Sequence, residues 1–263
     1  MTEPPRAALV AGAARGIGAA TVAALAAGGW RVLAVDRGAD DPNVPYALGR
    51  RAELEKVAAA AGPRVAIAEA DTRDFGALAA AVAEAERAWG GLDAAVAVAG
   101  VIAGGAPAWE VPAAQERAVL DIDLGGVLNL ARAAVPALLR RPQPRHGRFL
   151  AVASTAATRG LPMLAAYCAA KAGVAAFVRA LAVELRDTGI TANAVSPGST
   201  ATPILDESAR LYGLPSAEAF APQQPIGRLL EPAEVAAVLA FLAGDGASGM
   251  TGAIVPVDGG LAL

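Results

Sequence analysis

Short apolar runs without internal polar alternation recur along this chain of 263 residues and constrain its fold more than any other feature. A sheet with one face in water alternates apolar and polar residues, whereas parallel strands covered on both faces read as continuous apolar runs. We therefore predict buried parallel strands at residues 7–10, 31–35, 64–68, 94–98, 148–153, 191–195 and 254–257.

Alanine-rich stretches with helical spacing separate these runs. Regular alternation of strand and helix implies right-handed crossovers onto one sheet. The prediction is an α/β fold: a single Rossmann-type, doubly wound parallel sheet of about seven strands flanked by helices, in one domain over residues 1–263. Three helical stretches run into glycine, as C-terminal glycine caps require: residues 18–27 before Gly28, 52–61 before Gly62 and 75–89 before Gly90.

Two connections are longer than this architecture requires, and long ordered loops are often functional. The first is an extended loop at residues 37–51. The second, residues 199–225, mixes apolar with charged side chains and predicts a helical lid over an apolar site; ordinary packing of an excursion against the body is the alternative. We call it the lid segment; its apolar members are Ile204, Leu205, Leu211, Tyr212, Leu214 and Phe220.

Composition excludes several classes of function. The chain has 22 basic and 25 acidic residues, a net charge of −3 and no basic block, so nucleic acid is not expected as a partner. Cys168 is the single cysteine and His146 the single histidine, which leaves no disulfide framework, thiolate cluster or multi-histidine site. We therefore predict no metal.

Hydrophobic residues make up 55% of the chain, yet we expect a soluble protein. The apolar runs at 16–30 and 94–109 are shorter than the ~18 residues of a membrane-spanning helix, and glycine interrupts them. Residues 1–6 contain no basic apolar leader. Together with the lone thiol, this pattern predicts a cytoplasmic protein.

A glycine-rich turn follows the first predicted strand. Gly12, Gly16 and Gly18 open the next helix, and glycines there let backbone N–H groups approach a pyrophosphate at the positive end of the helix. Asp36 ends the next strand eighteen residues after Gly18, where a carboxylate accepts hydrogen bonds from ribose hydroxyls. This arrangement predicts a nucleotide site.

Charged residues near the turn bear on which nucleotide binds. Asp36 repels a 2′-phosphate and favours NAD over NADP. Arg15 and Arg37 weaken that inference, because a guanidinium beside the ribose accommodates a phosphate if Asp36 turns away. Asp71, at the end of the third strand, either hydrogen-bonds an adenine amino group or caps the helix that starts near Asp74.

Tyr167 and Lys171 stand four residues apart in the helical stretch 164–185, so both side chains project from one face. An ammonium beside a phenol stabilises the phenolate and lowers its pKa, which gives a base for an alcohol proton or an acid that returns it. Ser154, at the end of the fifth strand, can donate to the same substrate oxygen. The three residues predict catalysis on an alcohol or carbonyl.

With these motifs the chain resembles the short-chain dehydrogenase/reductase family over nearly its whole length. The resemblance implies hydride transfer between a nicotinamide and a carbinol or carbonyl carbon: Tyr167 exchanges the proton, Ser154 orients the oxygen, and Lys171 binds the nicotinamide ribose and lowers the pKa of the tyrosine. The implied cofactor contacts are Gly12, Arg15, Gly16, Ile17, Gly18, Asp36, Arg37, Asp71, Thr72, Ala99, Gly100, Tyr167, Lys171, Pro197, Gly198 and Thr202.

Three features depart from the family's pattern. The usual Asn-Asn-Ala-Gly after the fourth strand reads Ala97-Val98-Ala99-Gly100, and Ala11 replaces the customary threonine before the glycine turn. Asp123 takes the place of an asparagine that holds a water in the proton relay. A carboxylate still holds a water, but when ionised it offsets the pull of Lys171 on Tyr167, so we expect catalysis to need a higher pH or a different relay.

The extended loop resembles the insertion of a bacterial subgroup associated with the redox carrier mycofactocin, whose members keep NAD bound and reoxidise it in place. In that interpretation Tyr46 and Leu48 cover the adenosine half of the cofactor; a longer surface loop without such a role is the alternative. The family also implies a homodimer or homotetramer joined by two long helices and the apolar segment 254–263. We expect the homotetramer.

Two functions stay open at the level of sequence. The first is NAD-dependent interconversion of a mainly apolar secondary or cyclic alcohol and its ketone, with Trp109 lining the substrate cleft. The second is a catalytically weak or inactive nucleotide-binding regulator on the same fold, with Asp123 as the mark of lost catalysis. Intact Ser154, Tyr167 and Lys171 favour the enzyme.

Overall fold

Seven parallel strands form one sheet in the computed structural model, which describes residues 5–263. Residues 1–4, part of the stretch behind the expectation about a leader, lie outside this description. The strands are β1 Ala7–Ala11, β2 Arg31–Asp36, β3 Val65–Glu69, β4 Ala94–Ala97, β5 Arg148–Val152, β6 Thr191–Pro197 and β7 Ile254–Val257. Their order across the sheet is β3-β2-β1-β4-β5-β6-β7, so the sequence prediction of about seven parallel strands is confirmed.

Eight α-helices flank the sheet within the described residues. Glycines end α2 and α3 as predicted: the N–H of Gly62 donates to Ala58 O, and Gly90 adopts a left-handed conformation with its N–H on Glu86 O. The helices are α1 Gly16–Ala27, α2 Arg51–Ala61, α3 Phe75–Trp89, α4 Ala113–Leu120, α5 Gly126–Arg140, α6 Ala165–Glu184, α7 Pro203–Leu211 and α8 Pro232–Ala243.

Both faces of the sheet are buried, which explains the continuous apolar runs. Successive strand residues point to opposite faces. Leu9 and Phe149 pack with the apolar faces of α3, α5 and α6, whereas the adjacent Val10 and Leu150 pack with those of α1 and α8. Two apolar layers therefore hold the strand ends in place and position the connections that follow them.

A π-helical turn, Asp121–Gly125, joins α4 to α5 and was not predicted. Such turns carry an extra residue per turn and are frequent at functional sites. Its position is set by Ile122, which is buried in an apolar cluster with Val101 and Ala170. The turn carries Asp123 into the interior beside α6.

The two long connections have ordered backbone. The extended loop joins β2 to α2, and the lid segment contains α7 followed by a 3₁₀ segment, Ala217–Gln223. The helical content predicted for the lid segment is therefore present. A lid function requires motion and stays a prediction.

Two helical stretches have the length and hydropathy of a membrane span, Ala113–Arg140 and Ala165–Glu184. They differ from the runs at 16–30 and 94–109 that the sequence suggested for this test; the second of those runs contains β4. Both stretches pack against the sheet through buried residues such as Leu130 and Val178. Core helices of compact domains pass the same test of length and composition, so this is weak evidence for a membrane segment.

Candidate active site

A cleft of about 640 Å³ lies where the strand order reverses between β1 and β4. Ligands of open parallel sheets bind at such a reversal, outside the carboxyl ends of the strands. The cleft is lined by all the predicted cofactor contacts and by Ser154. Of the predicted catalytic and cofactor-binding residues, Asp123 alone does not line it.

The glycine turn after β1 is shaped for close backbone approach. A Cβ on Gly18 would lie 1.8 Å from Gly12 O, and one on Gly12, whose φ is +87°, would lie 2.4 Å from Ala99 N. No side chain caps the start of α1, and its first turn carries no acidic residue. The open N–H groups at the positive end of this helix fit a pyrophosphate.

Backbone bonds tie the turn to its neighbours without the customary threonine. Ala11 O accepts from Val98 N and Ala99 N, both at 2.9 Å. On the other side, Gly12 N donates to Val35 O at 2.8 Å. The Ala11 departure therefore leaves the turn attached to both adjacent strands.

Asp36 faces the glycine turn at the end of β2. Its Oδ2 accepts from Ala14 N at 2.9 Å, and its Oδ1 accepts from Arg37 N at 2.8 Å. The Arg37 guanidinium lies 2.8 Å from Asp41 and 3.3 Å from Asp71. Two carboxylates thus engage Arg37, which is not free to receive a phosphate in this conformation.

Asp71 pairs with Arg37 and Arg73 and does not cap α3. Asp74 caps that helix by accepting from Ala77 N at 3.0 Å. Arg73 bridges Asp71 at 2.6 Å and Asp41 at 2.8 Å. Burial opposes ionisation of Asp71, but its arginine partners outweigh burial and lower its pKa. Its contact with adenine stays a prediction.

The extended loop crosses the cleft from the β2 side to the β4 side. Arg15 Nη2 donates to Ala47 O at 2.8 Å, and Ile102 N donates to Tyr46 Oη at 3.2 Å. Tyr46 packs against the apolar cluster on which Tyr167 also packs, and burial raises its pKa. Tyr46 thus lies close to Tyr167 on α6, whereas we expected it to cover the adenosine half of the cofactor.

Ser154, Tyr167 and Lys171 come together in the cleft. The Ser154 hydroxyl accepts from Ala156 N at 3.1 Å, which orients it at the end of β5. Tyr167 and Lys171 lie one turn apart on α6, with Lys171 Nζ 5.6 Å from the centroid of the tyrosine ring. Lys171 Nζ also donates to Val152 O at 3.2 Å, so β5 anchors the ammonium.

Asp123 lies behind Lys171 and is 0% exposed. Its Oδ1 accepts from Val101 N at 2.8 Å, and its Oδ2 lies 3.2 Å from Lys171 Nζ without a well-directed hydrogen bond. The direct partner of this carboxylate is therefore the ammonium. A relay water held by Asp123 stays a prediction.

Burial and charge together set the proton affinities of this group. Burial raises the pKa of Asp123 more than Lys171 lowers it. Burial also opposes the charge of Lys171, but the Asp123 carboxylate outweighs it and raises the lysine pKa. Burial raises the pKa of Tyr167, Lys171 and Ser154 lower it, and Asp123 raises it again, so the net shift is upward. Tyr167 thus holds its proton at neutral pH.

Small residues let the backbone approach the ion pair from the cleft. A Cβ on Gly100 would lie 3.1 Å from Asp123 Oδ2 and 3.2 Å from Lys171 Nζ. Gly198, after β6, donates from its N–H to Val257 O at 3.1 Å. Gly100 and Gly198 line the same cleft as Tyr167.

The lid segment supplies apolar lining to the part of the cleft that we expect to hold the substrate. Tyr212 and Phe220 meet edge to face with ring centroids 6.1 Å apart, and Tyr212 Oη donates to Pro162 O at 2.8 Å. Trp109 is 84% exposed and does not line the cleft, so that expectation was wrong. The side chains of the lid segment that line the cleft include Ile204, Leu205, Tyr212, Leu214 and Phe220.

Sequence reasoning missed two features of this site. Arg159 lines the cleft five residues after Ser154. Its position in the loop that follows β5, which also carries Ser154, could have indicated this from sequence. The pairing of Asp41 with Arg37 and Arg73 had no sequence signal, because the three residues meet only in the folded chain. Among residues 5–263, no group of three histidine, cysteine or carboxylate side chains is placed to hold a metal.

Comparison with known proteins gives the class that this fold and cleft define. A family profile described as "Enoyl-(Acyl carrier protein) reductase" matches residues 12–262. The cis-4-hydroxycyclohexanecarboxylate dehydrogenase of Sinomonas cyclohexanicum is 39% identical over 259 residues, which cover 97% of this chain and 96% of that protein. The 2-dehydro-3-deoxy-L-rhamnonate dehydrogenase (NAD(+)) of Sphingomonas sp. (strain SKA58) is 32% identical, with 97% and 94% covered.

A solved structure gives the same answer. Carveol dehydrogenase from Mycobacterium avium in complex with NAD aligns with a TM-score of 0.92 at 31% identity, over 98% of each chain. The class is that of the NAD(P)-dependent alcohol and ketone oxidoreductases. Within that class, the chain belongs to the short-chain dehydrogenase/reductase family, and it is an enzyme.

Replacing Asp123 by asparagine tests the role of the buried carboxylate. Asparagine keeps an oxygen for Val101 N but removes the charge that raises the pKa of Tyr167. With Tyr167 as the expected base, oxidation of an alcohol needs its deprotonated form, and the acid limb of kcat/KM should then move to lower pH by roughly one unit. The measurement is the pH profile of alcohol oxidation.

Asp121→Asn is the matched control, because Asp121 lies in the same π-helical turn but is exposed. Its profile should stay at the wild-type position. A shift of the Asp123→Asn limb to higher pH would mean that Lys171 had lost its charge, and would contradict the account.

Proposed function

We propose that this enzyme transfers a hydride between NAD and the carbinol carbon of a secondary alcohol, or the carbonyl carbon of the corresponding ketone. The observation that carries the proposal is the convergence of Ser154, Tyr167 and Lys171 beside the glycine turn in one cleft. Nicotinamide, when bound, supplies the hydride acceptor or donor. The protein's own residues supply position and proton transfer.

Each side chain has one task in this proposal. Ser154 donates a hydrogen bond to the substrate oxygen and orients it toward Tyr167. Tyr167 Oη takes the alcohol proton during oxidation and returns it during reduction. In this proposal Lys171 favours the phenolate by its charge and binds ribose hydroxyls of the cofactor. Asp123 acts through Lys171, so it is a positioning residue.

NAD is the proposed cofactor in preference to NADP. Asp36 presents a carboxylate at the glycine turn, where it accepts from ribose hydroxyls and repels a 2′-phosphate. Arg37, one of the two arginines near the turn, is held by Asp41 and Asp71. Arg15, the other arginine near the turn, donates to Ala47 O and forms no ion pair within residues 5–263. The preference for NAD therefore rests on the Asp36 carboxylate, which repels the added charge when NADP replaces NAD.

The proposed substrates are mainly apolar cyclic secondary alcohols or their ketones. Ile204, Tyr212 and Phe220 give this part of the cleft a mainly apolar lining, which suits a hydrocarbon ring. One relative at 39% identity is named for a hydroxycyclohexanecarboxylate, an alcohol on a six-membered ring. We assign the lid segment to closing over this substrate.

Tyr167→Phe tests the proton-transfer role. Phenylalanine keeps the ring but cannot exchange a proton, so kcat for a cyclic secondary alcohol should fall on the order of a hundredfold to ten-thousandfold. Binding of NAD should persist. The matched variant Tyr212→Phe also removes a hydroxyl from the cleft, and it should lose at most about tenfold, since it removes one neutral hydrogen bond.

The alternative function gives the opposite result. If the protein is a nucleotide-binding regulator, Tyr167→Phe will bind NAD and show the same trace turnover as the wild type. Wild-type turnover in this variant would therefore remove the proposed chemistry and favour the regulator.

The extended loop is proposed to hold NAD in place between turnovers. It crosses the cofactor cleft and is attached on both sides, through Arg15 to Ala47 and through Ile102 to Tyr46. A cofactor beneath such a loop leaves only when the loop opens. We further propose that a redox carrier, with mycofactocin as the candidate from the family resemblance, reoxidises the cofactor where it is bound.

Protein purified without added cofactor should therefore carry close to one NAD or NADH per chain. Tyr46→Ala removes the ring and the hydroxyl that attach the loop to Ile102, and it should be purified largely empty; Tyr46→Phe, which loses the hydroxyl alone, should lie between. Mass spectrometry and absorbance of the denatured supernatant measure the retained nucleotide. Empty wild-type protein would contradict retention and indicate a freely exchanging dehydrogenase.

A homotetramer in the cytoplasm is the proposed state of the enzyme. Leu120 at the end of α4 and Val183 on α6 are large apolar side chains exposed on the two long helical stretches. The proposed assembly covers these side chains, because the family resemblance implies contacts through the two long helical stretches. Light scattering at micromolar concentration should give the mass of four chains, and a monomer would contradict the assembly.

A further inference from the structure

The substrate end of the cleft contains one cation that its apolar lining does not explain. The charged residues lining the cleft, within the described chain, are Arg15, Asp36, Arg37, Asp71, Arg159 and Lys171. The first four lie at the glycine turn or at the ends of β2 and β3, and Lys171 is paired with Asp123. Among the described residues, Arg159 is therefore the remaining charged side chain that lines the substrate end of the cleft.

Arg159 is fixed close to the catalytic residues by its backbone. Its N–H donates to Thr155 O at 3.0 Å, one residue after Ser154. Its carbonyl oxygen lies 3.8 Å from the sulfur of Cys168, the residue that follows Tyr167. The side chain thus starts from a backbone held between the serine and the tyrosine.

The guanidinium of Arg159 has unused donors. Its Nη1 donates to Leu261 O, at the rim of the cleft, and it forms no ion pair with any residue from 5 to 263. A guanidinium has five N–H donors in a planar fork that matches a carboxylate. The residues of the lid segment that line the same cleft carry no charge; they include Ile204, Phe220 and the neutral Gln223.

We propose that Arg159 binds a carboxylate of the substrate, so that the preferred substrates are ring alcohols bearing a carboxylate away from the carbinol carbon. The inference rests on the proposed function and adds to it a charged group and the residue that recognises it. The ring lies on the wall of Ile204 and Phe220, and the carboxylate lies on Arg159. Two anchors on opposite sides of the ring then turn the carbinol carbon toward Tyr167.

The comparison of an acid with its neutral ester tests this inference. The substrates are 4-hydroxycyclohexanecarboxylate and its methyl ester, which share the ring and the hydroxyl, and the enzyme is the complete chain saturated with NAD. A charge-assisted pair predicts that wild-type kcat/KM favours the acid by about tenfold to a hundredfold, mainly through KM. Arg159→Met should abolish the preference, and Arg159→Lys should keep part of it.

Arg87→Met is the matched control, because Arg87 is an exposed arginine at the end of α3 and does not line the cleft. It should keep the wild-type ratio of acid to ester. Arg159→Met also loses the hydrogen bond to Leu261 O. That loss would lower kcat/KM for the acid and the ester equally, so the ratio of the two values reports carboxylate recognition alone. Arg159→Glu should reverse the preference and favour 4-aminocyclohexanol over the acid.

The outcomes separate this inference from the function beneath it. Oxidation of acid and ester at equal kcat/KM by the wild type would overturn the carboxylate site and leave the alcohol dehydrogenase intact. A preference for the acid that survives in Arg159→Met would also overturn it. Turnover confined to acyl thioesters would overturn both the carboxylate site and the cyclic-alcohol proposal, with Arg159 then free to meet a phosphate of the carrier.

Discussion

The reversal of strand order between β1 and β4 is the constraint on which the site depends. Parallel strands end at the same edge, so the connections after β1, β4, β5 and β6 emerge side by side. The first supplies the glycine turn, the second Gly100, the third Ser154 and the fourth Gly198. Residues far apart in sequence meet because the sheet, buried on both faces, fixes where each strand ends.

The ion pair of Asp123 and Lys171 joins this edge to the helical layer. A buried charge is costly unless it has a partner. Here Asp123 and Lys171 pair with each other, Val101 N donates to Asp123, and Val152 O accepts from Lys171. The carboxylate keeps Lys171 charged but also raises the pKa of Tyr167. The charge of Asp123 thus opposes formation of the tyrosinate, whereas that of Lys171 favours it.

Most of the fold could be predicted from sequence because local pattern and tertiary structure agree. Continuous apolar runs gave strands within two residues of their observed ends, and Gly62 and Gly90 ended helices as expected. The residues of the cleft could also be collected, since each follows a strand at the same edge. Their roles in binding and catalysis stay predictions.

The remaining features depend on contacts that no local pattern encodes. The π-helical turn around Asp123 and the reach of Tyr46 to Ile102 arise from packing between distant segments. Trp109 was expected to line the cleft, but its side chain is exposed to solvent. Arg159 was overlooked because a single arginine in a loop is usually a solvated surface residue. Only the folded structure shows that it lines the same cleft as the lid segment.

Single-turnover kinetics test the central claim, that this cleft moves a hydride, most directly. Enzyme with one equivalent of NAD is mixed with cyclic secondary alcohols bearing hydrogen or deuterium on the carbinol carbon, and the absorbance of reduced nicotinamide is followed. The account predicts formation of reduced cofactor in proportion to sites, slower with deuterium. Bound NAD that stays oxidised with every alcohol, and bound NADH that stays reduced with every matching ketone, would contradict it.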